Sequence, residues 1–322
     1  MEGSVLVDRV RPRPAAPGRV RALWNYFWFR RFLYLMLVPG LAYYVIFHYV
    51  PMYGASIAFK DFSAAKGIMD SPWAGFKHFE YLFGLSKFWE IVQNTLTISV
   101  YRIAIGFPAP IIAALMLNEI RRERFKRTIQ TAIYLPHFIS WVILGGIMAN
   151  ILSIDGGVFN EGIKELGGQP ISFMTDESWF VPTVVLSNIW KEFGWGTIIY
   201  LAAMAGLNPQ LYEAAMVDGA NRWHLARHVT LPGIQNTIVI MFILRLGFIM
   251  EAGFEQIFIL YSPSVYRVGD IIDTYVYRIG LLEGRFSRAA AVGLFKSVIN
   301  FGLLLGADLV AKRWGGRERG IF

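Results

Sequence analysis

Two stretches of this chain run without a single Asp, Glu, Lys or Arg, one between Arg31 and Lys60 and the other between Arg127 and Asp155. Each is longer than the ~20 residues that cross the hydrocarbon core of a bilayer. Composition agrees, because 55% of the 322 residues are hydrophobic and only 17% are charged, against roughly 25% charged in soluble domains. The chain therefore reads as an integral membrane protein, which excludes intrinsic disorder and a soluble cytosolic enzyme. There is no cysteine, so a disulfide framework, a thiolate metal site and a thiol nucleophile are excluded as well.

The apolar segments predict an all-α fold with six spans, over about Phe32 to Tyr53, Phe88 to Leu117, Ile129 to Leu152, Phe180 to Leu207, Ile234 to Leu260 and Ala289 to Val310. The first run is too long for the core of a signal peptide and no A-x-A-type site follows it, so it is expected to stay as a helix. Basic residues set the orientation: Arg9, Arg11, Arg13, Arg19, Arg21, Arg30 and Arg31 precede the first span, and Arg121, Arg122, Arg124, Lys126 and Arg127 follow the second. Such clusters collect on the cytoplasmic side. Both termini are thus expected inside, with a basic tail over 1–31, one membrane domain over 32–310 and a short tail over 311–322. The net charge of +8 is then a matter of topology and lipid, not of nucleic acid. Gly302 and Gly306 have the small-xxx-small spacing that admits a close neighbour, and packing within the chain is the expected use.

Between the fourth and fifth spans lies a polar segment, 208–233, too poor in apolar residues to cross a membrane. Asn208 and Pro209 punctuate its start, Asp218 and Gly219 break it, and Pro232 is expected to break it again. Around Tyr212 to Val217 it favours helix. Ala214 and Ala215 give a face without bulk, and Glu213 and Asp218 offer acceptors to a basic partner group. The order E-A-A, then Gly six positions after the Glu, then a β-branched residue and x-L-P resembles the EAA loop of bacterial ABC import permeases. The matching residues are Glu213, Ala214, Ala215, Gly219, Val229, Leu231 and Pro232, with Val229 where isoleucine is usual. PMYGASIAFKDF from Pro51, YLPHFISWVILGGI from Tyr134, WKEFGWGTIIYLAA from Trp190 and AVGLFKSVIN from Ala291 are similar to permeases for complex polysaccharides and oligouronates, the alginate and aldouronate importers among them. That resemblance implies a type I ABC importer fold whose coupling segment, including Asp218, Ala220 and Arg222, seats in a cytoplasmic ATPase. It also implies as partners a second permease, two ATPase subunits carrying ATP and Mg, and an extracytoplasmic solute-binding protein. The chain itself is expected to bind no cofactor, since no G-x-x-x-x-G-K-[ST] loop occurs in it. His224 and His228 share a helical spacing, but no third ligand stands in register and a metal site is not expected.

Charges within the expected spans are costly in lipid, roughly 2.5 to 3.5 kcal/mol each at a helix centre. Arg102, Lys191, Glu192, Arg245, Glu251, Glu255 and Lys296 should therefore line a polar path or pair with one another, and Asp308, near the inner end, should be structural. Glu251 and Glu255 are expected one helical turn apart on the fifth span. Trp190 and Trp195 flank Lys191, and aromatic rings suit the apolar faces of sugars, although lipid-facing belts use Trp too. The basic residues suggest an acidic sugar as cargo. A secondary transporter driven by protons or sodium through Glu192, Glu251 or Glu255 is the alternative, and has no use for an EAA loop. An intramembrane enzyme comes third, as neither H-E-x-x-H nor G-x-S-x-G occurs.

Overall fold

A computed structural model of the chain describes residues 24, 26 and 28–315. The tail arginines up to Arg21, and Arg317 and Arg319, lie outside the described residues. The chain divides into two compact units, Met1–Ser56 and Ile57–Phe322. Among the described residues the only β pairing is two isolated bridges, Lys60 with Trp73 and Ser63 with Gly67.

Helix α1, Arg31–Phe59, makes up most of the described part of the first unit. It widens into a π turn over Val45–Tyr49 just ahead of Pro51. The wider turn relieves the clash between a proline ring and the carbonyl four residues back. In the second unit, α2 covers Ser86–Asn118, with Pro108 opening its C-terminal part at a position where a missing N–H costs nothing. α3, Glu123–Phe138, and α4, Trp141–Ile151, meet at 101°. There follow α5, Val158–Glu165, α6, Glu177–Ala205, and α7, Pro209–Val217. α8, Arg222–Gly233, and α9, Gln235–Gly247, meet at 63°. α10, Phe254–Leu260, α11, Ile272–Tyr277, and the 30-residue α12, Phe286–Gly315, complete the chain.

The six expected spans are therefore not six straight helices. α1, α2 and α12 are long and apolar enough to cross a membrane, and the bent pairs α3/α4 and α8/α9 raise that number to five. The sixth is α6, whose 29 residues suffice in length but whose middle carries Asn188, Lys191 and Glu192, so apolarity alone does not mark it. The expected third span bends because Leu135–Phe138 tightens to a 3₁₀ turn at Pro136, and Ser140 then caps a new helix by accepting from the Ile143 N–H. The expected fifth span stops at Gly247 and resumes only after Gly253, whose φ of 86° no other residue adopts readily. Glu251 thus sits in the break and Glu255 on α10, not one turn apart on one helix. Pro232 does not break the chain either. α8 absorbs it behind a π turn over Ala226–Thr230, and the bend falls at Ile234.

α2 contributes to all three cores of the second unit: Ile98 packs with Trp141, Phe180 and Ile257; Phe88 and Ile91 with Met250 and Ile272; Ala114 with Tyr200 and Ile234. α6 presses on α3 so closely that a Cβ at Gly194 would overlap the Ile133 carbonyl. The segment after α10, which lies between the expected fifth and sixth spans, is built into the unit. Asp270 is fully buried and paired with Arg278 and Thr274, and Asn94 of α2 donates to the carbonyls of Arg267 and Asp270. Arg267 also bonds Glu177 at the start of α6. Gly302 and Gly306 do not pack within the chain as expected, since a Cβ on either would meet nothing within 4 Å, whereas Gly247 receives Leu304.

Candidate functional site

The break between α9 and α10 creates the charged interior. Arg102, only 5% exposed on α2, reaches under Gly253 and donates to Gln256 Oε1. Gln256 in turn donates to the Val184 carbonyl at 2.8 Å and to Ser187 Oγ at 2.9 Å on α6. A side chain at Gly253 would collide with the guanidinium, so glycine serves both the left-handed turn and the close approach. In front of this network lies a cavity of about 380 Å³ lined by Ser99, Arg102, Arg245, Phe248 and Glu251, among others. A second, of about 670 Å³, is lined by Glu251, Phe254, Asp273, Tyr277, Phe286 and Lys296. Glu251 belongs to both and joins them.

Four expected path residues, Arg102, Arg245, Glu251 and Lys296, thus come together from α2, α9, the break and α12. Their states differ. Lys296 is neutralised by Asp273, Nζ to Oδ1 at 2.6 Å. Among the described residues the side chains of Arg245 and Glu251 make no hydrogen bond or ion pair, and no carboxylate lies within 4.0 Å of Arg245 or Arg102. Two guanidiniums line this cavity against one carboxylate, Glu251, which is in ion-pair distance of neither, and the excess of positive charge favours an anion there. Glu255 is exposed on α10 and lines neither cavity. Asp308 pairs with Lys312 one turn on, at 2.8 Å.

Trp190, Lys191, Glu192 and Trp195 lie elsewhere. Lys191 is 6% exposed; it donates to the His137 carbonyl at 2.6 Å, stands 3.6 Å from Glu192 and lies over the Trp141 ring. Glu192 meets His137 Nδ1 at 2.9 Å, and Trp195 stacks on the same imidazole at 4.5 Å. This cluster clamps α6 against the α3/α4 bend. Trp190 points into a separate apolar cavity of about 500 Å³ with Met148, Phe159 and Trp179. Sequence reasoning missed Asp273, Gln256, Gly253 and His137. Gly253 carried a signal, a glycine between two glutamates inside a supposed span; Asp273 lay in a segment read as loop.

The segment 208–233 folds as two helices on one turn. Asn208 accepts from the Gln210 N–H and Pro209 takes the first position of α7. At the other end Gly219 has φ 83°, its N–H bonds the Met216 carbonyl at 3.1 Å and the Ala220 N–H bonds Ala215 at 2.9 Å, which is a Schellman stop. Asn221 caps α8 by accepting from the His224 N–H. Tyr212 Oη and Thr230 Oγ1, 3.0 Å apart, hold the two helices together. No residue of α7 is buried; Glu213, Ala214 and Asp218 are exposed, with Leu211, Met216 and Val217 beside them. Leu231 and Pro232 lie on the last turn of α8, and Arg222 approaches Glu119 at the end of α2, 3.7 Å away.

Residues 106–316 match the family described as binding-protein-dependent transport system inner membrane component. Two proteins of Bacillus subtilis (strain 168), LplB and the polygalacturonan/rhamnogalacturonan transport system permease protein YteP, are each 46% identical over 91% of both chains. The solved structure of a bacterial ABC transporter involved in the import of the acidic polysaccharide alginate contains a chain that superposes with a TM-score of 0.85 at 42% identity, over 91% of this chain and 99% of that one. A second structure of the alginate transporter, in complex with alginate pentasaccharide-bound periplasmic protein, gives 0.85 at 41% identity.

Proposed function

The chain belongs to the family of binding-protein-dependent transport system inner membrane components, and on that premise we propose that it forms half of the path by which an ATP-driven importer carries an acidic oligo- or polysaccharide. Uronate oligomers are the first candidates. The observation that carries the acidic reading is the cavity in which Arg102 and Arg245 face each other's field with no carboxylate in ion-pair distance. An oligouronate brings the missing charge, one carboxylate per sugar. Glu251 lines the same cavity and the Lys296–Asp273 pair continues the polar lining beyond it, and relatives that carry polygalacturonan or alginate in their names support the same class of cargo.

The partners follow from the division of labour. Energy enters through a cytoplasmic ATPase that holds ATP and Mg, docked on exposed α7 with Glu213 and Asp218 toward its basic groups and Ala214 and Ala215 giving close approach. Two such ATPases, a second permease and an extracytoplasmic binding protein complete the assembly. Its termini, tails 1–31 and 311–322, lie in the cytoplasm about a membrane domain over 32–310, the side to which the basic residues assign them.

The test is uptake by the complete importer in proteoliposomes, comparing uronate oligomers with neutral oligosaccharides of equal length. Wild type should take up the acidic series in an ATP-dependent way. Arg245→Gln should lower that uptake about tenfold, the equivalent of one charged hydrogen bond, and leave neutral sugars unaffected. Equal uptake of both series by the wild type would end the acidic reading; uptake driven by an ion gradient without ATP would end the importer reading.

A further inference from the structure

We infer that the groove between the inner part of α2 and helix α8 binds one anionic glycerophospholipid, its acyl chain along the groove and its phosphate at Arg222 and Arg227. The groove encloses about 700 Å³, with Phe107, Ile111 and Leu115 on one wall and Trp223, Ala226 and Leu231 on the other. From Phe107 to Glu119 the wall of α2 rises about 18 Å at 1.5 Å per residue, the depth of roughly one leaflet in a hydrocarbon core of about 30 Å. Along that depth the lining is apolar. Its charged residues are Glu119, Arg222 and Arg227, which come from the chain just past the end of α2 and from α8.

Charge at that end decides the occupant. Arg222 approaches Glu119 at 3.7 Å, which offsets one cation, whereas the Arg227 side chain makes no hydrogen bond or ion pair among the described residues. Arg121 and Arg122, both exposed, follow directly after α2 and add to the positive field. Trp223 is 70% exposed beside them, and an indole is a side chain suited to the headgroup level. An apolar wall one leaflet deep that ends in guanidiniums fits an acyl chain carrying a phosphate. The cavity beside Trp190 is as apolar but has no charged residue in its lining, so it gives no such preference. The lipid site stands on this geometry alone; only the assignment of the leaflet to the cytoplasmic side rests on the proposed topology.

The full-length chain, placed in bilayers of equal phosphatidylcholine and phosphatidylglycerol with identical acyl chains and released gently, should retain phosphatidylglycerol in native mass spectrometry. The expected excess is about fivefold, the contribution of one basic residue at a membrane surface. The double variant Arg222→Gln/Arg227→Gln should bring the ratio to about one. Arg124→Gln/Arg127→Gln, which removes the same charge from α3, should leave it unchanged, and Ala226→Trp should displace both lipids by filling the groove. Because the readout is a ratio within one sample, a folding defect lowers both lipids and does not imitate the result. Equal retention of the two lipids by wild type, or an equal loss of preference in the α3 variant, would overturn the inference. So would benzoylphenylalanine at position 112 crosslinking in membranes to polypeptide and not to lipid.

Discussion

Lys191 and Arg245 illustrate how two cations in one membrane protein come to opposite uses. A buried ammonium is tolerated only with acceptors around it, and Lys191 has them: the His137 carbonyl at 2.6 Å and Glu192 at 3.6 Å. Its place is in the clamp between α6 and the α3/α4 bend. Lys191→Ala should therefore cost about 1–3 kcal/mol of stability, the range for a charged hydrogen bond whose acceptor is left buried, seen as a lower melting temperature and folding yield in detergent. Uptake of uronate oligomers per folded molecule should change little. A loss of uptake at unchanged melting temperature would instead put Lys191 against the cargo. The sequence shows all these charges, because any charge stands out in an apolar run. It does not show their partners. The acceptor of Lys191 is a backbone carbonyl 54 residues away, and that of Arg102 is Gln256, on a helix that exists only because Gly253 turns the chain.

At the scale of elements, α7 and its turn carry the coupling proposal. The helix is exposed, begins with an Asn-Pro cap and ends on Gly219 at φ 83°, a conformation that costs an L-residue about 1–2 kcal/mol. A Cβ at Gly219 meets nothing within 4 Å, so Gly219→Asp should distort the turn locally and leave the membrane part folded. Both it and Glu213→Ala should reduce substrate-stimulated ATPase activity of the assembled importer by about tenfold, the loss of one charged contact at the ATPase, with binding-protein recognition retained. Wild-type stimulation and uptake in both variants would remove the docking assignment. This turn was legible in advance because Asn-Pro and Asp-Gly are punctuation with known backbone meaning. The breaks inside the spans were not. Ile139–Ser140 lies in an apolar run, where hydropathy does not register a turn, and at Phe248–Gly253 the one signal was a glycine between two glutamates. Pro232 misled in the other direction, since a π turn lets α8 continue past it, as another carries α1 past Pro51.

At the scale of the whole molecule, the proposed function makes the protein a path driven by a separate motor. Its polar interior comes from α2, α9, α11, α12 and the break before α10, and the family match over 106–316 takes in all but the outer part of α2. The general architecture was legible mainly through the polar segment 208–233, whose spacing resembles one family; composition alone reached only "membrane protein". The 322 residues hold no phosphate-cradling G-x-x-x-x-G-K-[ST] sequence. Backbone N–H groups from such a loop are what hold a nucleotide's phosphates in P-loop enzymes. The purified chain should accordingly release no phosphate from Mg-ATP above background. Hydrolysis should appear on addition of a P-loop ATPase and the second permease, and should rise further with the loaded binding protein. It should then depend on α7, so that the Glu213→Ala complex keeps basal hydrolysis and loses the stimulated part. Robust turnover by the purified chain alone would show that the energy source lies within this chain, and would refute the division between path and motor.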